Sequence, residues 1–206
     1  MNKEFLKKVL GEITKVMNEE KNYLIELDGA MGDGDLGLTM SSGFKATYDE
    51  IDNIDSEDIG MVMMKLGMKM NSVVPSTMGT LISTCFIKSA KEAKGKTDVD
   101  LLTASKMGRA AVNGVMERGK AKIGEKTMLD SLDPAVKALE KAAEENEDLK
   151  VAFEKAYEAA KQGVENTKQI KSVHGRAAYY GEKSLGRPDS GAVAVMFIFK
   201  GIAQSF

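Results

Sequence analysis

Apolar residues recur along most of this chain at three- and four-residue steps, the spacing that lines one face of an α-helix. Phe5, Leu6, Val9, Leu10, Ile13, Val16 and Met17 form one such stripe, with Lys and Glu on the other face. Ile59, Val62, Met63, Leu66 and Met70 form a second, and Leu101, Leu102, Ala104, Ser105 and Met107 begin a third that runs to Val115. Residues 132–168 are rich in Ala, Glu, Lys and Leu, all strong helix formers. Within them Asn146-Glu147-Asp148 reads as a turn, with Asn146 or Asp148 able to cap the next helix. Asp133 before Pro134 reads as a helix start with proline at the first helical position.

Only "NYLIEL" (22–27) and "AVAVMFIF" (192–199) could pass for strands, and no alternating runs are bounded by hairpin turns. The pattern predicts an all-α single domain spanning residues 1–206, with about eight helices in an antiparallel bundle joined by short loops. No repeat or linker divides it. The fourteen methionines read mainly as flexible core packing.

A net charge of −2 gives nucleic acid or an anionic membrane no field to respond to, so neither is an expected partner. The apolar run at 192–199 stops at Lys200, short of the roughly 20 residues a membrane span needs. The N-terminal residues lack a signal-peptide core, and one cysteine, Cys85, fits a reducing compartment. A cytoplasmic protein is expected, with Cys85 a packing residue.

Against this helical background "LDGAMGDGDLGLTM" (27–40) stands out, with Asp28, Asp33 and Asp35 set among four glycines. On a helix the three would point near about 0°, 140° and 340°, so they share no face. A loop can turn all three inward, and converging carboxylates suit a hard divalent ion, Mg²⁺ or Ca²⁺. An EF-hand beginning at Asp33 fails, because Gly37 and Phe44 occupy ligand positions. "GDGDLG" meets the dinucleotide pattern G-x-G-x-x-G, but its aspartates would repel a pyrophosphate and no βαβ unit surrounds it. "GVMERGKA" (114–121) imitates a P-loop, yet Ala121 replaces the Mg²⁺-binding hydroxyl and no strand precedes it. A second glycine-rich loop, 175–192, carries Arg176, Lys183 and Arg187 near Asp189. Basic side chains and bare N–H groups of that kind can wrap anionic oxygens. An acidic loop for metal and a basic loop for phosphate together suit a nucleotide with Mg²⁺.

"LDGAMGDGDLGLTM", "RGKAKIGEKTMLDSLDPA" and "GRAAYYGEKSLGRPDSGA", in this order, resemble the nucleotide-binding L subunit of dihydroxyacetone kinase and the matching domain of ATP-dependent dihydroxyacetone kinases. The resemblance implies a closed barrel of eight antiparallel helices holding Mg²⁺ and ADP or ATP in loops at one end. It implies Asp28, Asp33 and Asp35 as metal ligands. Leu36, Gly37, Leu38 and Thr39 fall where backbone groups at a helix start meet phosphates, with Met78 and Gly79 where a Ser-Gly loop touches phosphate. Gly119, Thr127 and Met128 fall beside adenine, and Arg176 with Asp189, Ser190 and Gly191 close the phosphate side.

The resemblance further implies a substrate-binding K subunit that holds dihydroxyacetone, and a phosphohistidine donor subunit of the phosphotransferase type that recharges bound ADP. Catalysis would then be positioning and charge neutralisation with no covalent residue, Arg176 being the one catalytic candidate. His174, the single histidine, reads as incidental. The family usually has G-D-G-D-H-G where this chain has Leu36, and a serine where it has Met78. An ATP-exchanging kinase for another small ketose or polyol, or a non-catalytic regulatory paralogue, stands as the alternative.

Overall fold

A computed structural model describes all 206 residues as nine α-helices and two 3-10 segments, without strands. The helices are α1 (Lys3–Glu19), α2 (Lys21–Gly29), α3 (Leu36–Glu50), α4 (Ile59–Val73), α5 (Thr77–Glu92), α6 (Leu101–Gly119), α7 (Leu129–Glu144), α8 (Leu149–Thr167) and α9 (Ser190–Ala203). The 3-10 segments are Ile51–Asn53 and Arg176–Ser184. Both strand-like runs are helical: "NYLIEL" lies in α2 and "AVAVMFIF" in α9. The second is apolar all round because α9 packs on both α8 and α1, leaving little of its surface to water.

Neighbour follows neighbour around a closed ring: α1 packs on α3, then α4, α5, α6, α7, α8 and α9 follow in order, and α9 returns to α1. The expected eight helices form that ring, and the short α2 is a ninth, set against α3 and α9. Connections as short as the three residues between α4 and α5 reverse the chain direction at each step. Ring closure is seen in the ring stack of Phe153 on Phe206, which also packs on Phe5. One contiguous apolar core fills the ring, drawing Leu10 and Met17 from α1, Phe44 from α3, Leu66 and Met70 from α4 and Leu129 from α7. A cavity of about 220 Å³ remains inside it, lined by Phe44, Phe86, Met128, Leu132 and Val195 among others.

Sequence-local signals set most boundaries. Asp58, Asp100 and Asp148 cap α4, α6 and α8 by accepting N–H bonds within the first turn. Asn146 takes a left-handed φ of 52° in the expected turn. One boundary differs. Pro134 lies inside α7, not at its first turn. The helix instead begins at a reciprocal cap, in which the Thr127 N–H donates to Asp130 Oδ2 at 2.7 Å and the Leu129 N–H to Thr127 Oγ1 at 3.2 Å. Asp133 serves elsewhere, as a buried carboxylate accepting from Arg109 of α6 at 2.7 Å and pairing with Lys137 at 2.8 Å. Since proline has no N–H, the Asp130 carbonyl one turn back has no helical donor. Gly163 of α8 packs directly against that carbonyl.

Met17, Met31, Met40 and Met70 are buried as expected, and so is Met128, which the family resemblance places beside adenine, whereas Met61 and Met68 face outward on α4. Cys85 packs against the core, and burial pushes its thiol up to about 12, which keeps it protonated and unreactive.

Candidate functional site

The alternating chain direction places the starts of α3, α5, α7 and α9 at one end of the ring. Three contacts tie them together. Thr39 Oγ1 lies 3.3 Å from Ser76 Oγ, joining α3 to α5. Ser190 Oγ donates to Asp28 Oδ1 at 3.0 Å, joining α9 to the acidic loop. A β-carbon at Gly191 would lie 3.4 Å from Met128 Cβ, so the starts of α9 and α7 touch. Four helix N-termini therefore converge, each with unpaired N–H groups and a partial positive charge.

The acidic loop sits in this mouth. Asp28 ends α2, Asp33 and Asp35 lie in the turn before α3, and carboxylate oxygens of all three lie within 4.8 Å of one another. Asp28 is fixed on both sides, because its Oδ2 accepts the Gly34 N–H at 3.0 Å. Gly34 permits that turn with a φ of 73°. Close approach of α2 to α3 requires Gly37, where a β-carbon would overlap the Lys21 carbonyl oxygen. Asp35 occupies the cap position of α3, yet its side chain accepts no bond from the helix. Partial burial, then repulsion from Asp33 and Asp28, raises its pKa above the ordinary carboxylate value, and Arg176 partly opposes this.

The donor set suits a hard divalent cation: three oxygen ligands of one sign, mutually repelling, beside a helix start. Leu36, Gly37 and Leu38 have N–H groups without intrahelical acceptors in the first turn of α3, as an anion site requires. Leu36 turns its side chain into the core, while Leu38 is exposed. At α5, Ser76 caps the helix by accepting the Gly79 N–H at 3.1 Å, and Met78 packs against the core. In the sequence, Ser76 and Thr77 are the hydroxyl residues just before Met78, able to stand in for the serine the family usually has there.

Met128 is buried on the cavity wall, and Thr127 caps α7 beside it. Gly119 ends α6, facing Leu81 one turn into α5. Arg176 reaches across the mouth from the basic segment, its Nη2 2.8 Å from Asp33 Oδ2. His174 does not stand alone: its Nε2 lies 2.6 Å from Glu125 Oε2, and this contact holds the Glu125 carboxyl below the usual range.

Asp189 caps α9 by accepting the Ala192 N–H at 2.8 Å, while its own N–H donates to Thr167 Oγ1 at 3.0 Å. Burial pushes its carboxyl up to about 7 from 3.8, with repulsion from Asp130 adding to the effect. Between those two values the folded chain binds a proton that the unfolded chain releases. Stability from this group is therefore greatest near pH 4 and declines as pH rises towards 7. Asp189→Asn keeps a capping oxygen and should flatten that slope in thermal melts of the nucleotide-free protein from pH 5 to 8. A slope as steep as the native one would contradict the assignment.

Comparison with known proteins agrees with this architecture. The DAK2 domain family matches residues 30–204. The chain is 36% identical over 188 residues to the ADP-binding subunit DhaL of the PEP-dependent dihydroxyacetone kinase of Escherichia coli, covering 91% of this chain and 90% of that one. It is 33% identical to the ADP-binding subunit DhaL of PEP-dependent dihydroxyacetone kinase 1 of Listeria innocua, covering 99% and 97%. The crystal structure of C. freundii dihydroxyacetone kinase shares the fold, with a TM-score of 0.76 at 22% identity over 97% of this chain and 34% of that chain. The same enzyme solved with AMP-PNP and Mg²⁺ gives 0.73 at 22% identity, over 97% and 33%. The ring of helices with its acidic mouth is thus a DAK2 domain. The chain belongs to that family, and these subunit-length dihydroxyacetone kinase proteins are among its relatives.

No helix of the chain is long and apolar enough to cross a membrane.

Proposed function

We propose that this chain is the ADP-binding subunit of a dihydroxyacetone kinase. It passes the phosphoryl group of bound ATP to dihydroxyacetone held on a separate K subunit, and a phosphohistidine donor of the phosphotransferase type recharges the ADP. The observation that carries this reading is the triad of Asp28, Asp33 and Asp35, with oxygens within 4.8 Å, at a mouth built from four helix starts. The family and its subunit-length relatives support it.

Asp28, Asp33 and Asp35 would hold Mg²⁺, which supplies the positive charge that lets a polyphosphate approach three carboxylates. Leu36, Gly37, Leu38 and Met78 present backbone donors to the phosphates, with the Thr39 hydroxyl beside them and Gly79 at the capped start of α5. Gly119, Thr127 and Met128 form the wall for the base, and Ser190 and Gly191 complete the floor while Ser190 orients Asp28. Arg176 is the cation of the mouth, paired with Asp33 and exposed enough to turn towards a phosphate. The acceptor hydroxyl and any base that activates it belong to the partner, so this chain contributes position and charge.

The test is to denature the purified protein before adding nucleotide and to identify what is released by ion-exchange chromatography. Near-stoichiometric ADP is the expected result. Absence of nucleotide, with no ADP binding at millimolar Mg²⁺, would overturn the reading. Absence of retained nucleotide with readily reversible ATP binding would replace it with the exchanging kinase.

A further inference from the structure

Lys126 carries an unusual burden for a lysine in a polar loop. Its residue is only 2% exposed, its backbone is left-handed with φ 59°, and its hydrogen-bond partners are all main-chain carbonyls. Nζ donates to Thr167 O at 2.9 Å, Ser184 O at 2.7 Å and Arg187 O at 2.7 Å. Burial lowers its pKa from the usual lysine value, and the Asp189 carboxyl nearby opposes that shift.

Those three carbonyls are not neighbours in sequence. Thr167 closes α8, Ser184 ends the second 3-10 segment, and Arg187 lies two residues before the cap of α9. One ammonium thus pins the entry, the end and the exit of residues 168–188, the segment that presents Arg176 to Asp33. The same segment is joined to the preceding loop by Glu125 and His174, but that pair is partly exposed, where an ion pair contributes little. Within the segment, Ser172 N–H donates to Ser184 Oγ and Gly186 N–H to Lys168 O. These bonds shape the loop without fastening it to residues 120–128. Lys126 does the fastening, and Met128 lies two residues further along the same strip of chain. Opening the segment would strip two of the three acceptors, at Ser184 and Arg187, from a buried cation, which is costly.

We propose that Lys126 is a positioning residue whose ammonium locks residues 168–188 onto the 120–128 loop and thereby sets how fast nucleotide leaves the mouth. The dissociation claim rests on the function proposed above, while the lock itself does not. Nucleotide exit requires the basic segment to lift away, and this segment cannot lift while two points of it, at Ser184 and Arg187, share one donor with the end of α8. Retention of nucleotide is then a property of a side chain that touches neither phosphate nor metal.

Lys126→Met keeps the length of the side chain and removes the three donors. Release of radiolabelled ADP from Mg²⁺-loaded protein, chased with excess unlabelled ADP, should be at least about tenfold faster than for the native chain. Hydrogen exchange in the nucleotide-free variant should rise across residues 171–187 and stay native in α4 and α6. A purely structural role would instead raise exchange throughout the ring. Lys126→Gln retains two donors and no charge; it serves if the methionine variant fails to fold, with release expected between the two. Native release together with native exchange across 171–187 in a folded variant overturns the proposal, as does uniform loosening of the ring. If the native chain binds no ADP, the proposed function and the dissociation claim fail together, and local exchange still decides whether Lys126 is the lock.

Discussion

Asp33→Ala is expected to weaken Mg²⁺-dependent ADP retention by about 100-fold or more, close to 2.7 kcal/mol, while leaving the protein helical. The two halves of that expectation have separate causes. Asp33 is 40% exposed at its side chain and its one charged contact is Arg176, so the fold asks nothing of it. A hard cation asks much more, since one of three anionic oxygens disappears from the set. Asp28 would make a poorer test, because its carboxylate also fixes Gly34 and Ser190 and its loss would disturb both loops. Retained ADP should be measured with Mg²⁺ and again with a chelator, alongside circular dichroism. Native retention in the Asp33 variant would sink the metal-site assignment.

Gly163→Ala should lower the melting temperature by roughly 6–12 °C, equivalent to about 3 kcal/mol lost. Intrinsic helix propensity argues the other way, since alanine is favoured over glycine by about 1 kcal/mol inside a helix. The sign therefore discriminates. A β-carbon at Gly163 would overlap the Asp130 carbonyl oxygen and stand 3.0 Å from Ser131 Cα, both main-chain atoms that cannot rotate away. α8 must back off from α7, and the Ser131 hydroxyl bond to Ala160 O, 3.1 Å long, stretches with it. Because Thr127 and Met128 sit on the turn that starts α7, the displacement also reaches the mouth. A melting temperature equal to or above the native one would show that the two helices do not meet so closely.

Much of this architecture could be read from the residues, and the exceptions have physical causes. Helical stripes and the cap at Asp148 are local, so each could be read from a few consecutive residues. The Asp133-Pro134 pair misled because proline also fits inside a helix when the carbonyl it orphans is covered, here by Gly163. Ring closure left no mark on periodicity. An apolar stripe says that a face is buried but not against which helix, so the barrel came from the family resemblance alone. The three aspartates announced themselves by mutual repulsion among glycines. Lys126 did not, because a lysine between Glu125 and Thr127 reads as solvated until the segment 60 residues later folds over it. Glu125 was missed for a similar reason: its partner His174 lies far off in sequence.

The hydrogen bond between Asp28 and Ser190 spans 162 residues. A chain emerging from the ribosome presents its acidic loop early but cannot complete the mouth until α9 has been made and has docked between α8 and α1. Earlier helix pairs can form as they appear, since each ring neighbour other than α1 and α9 is close in sequence. The mouth is consequently the last part of the molecule to be finished. Under the function proposed above, nucleotide bound at the mouth would report that the ring has closed.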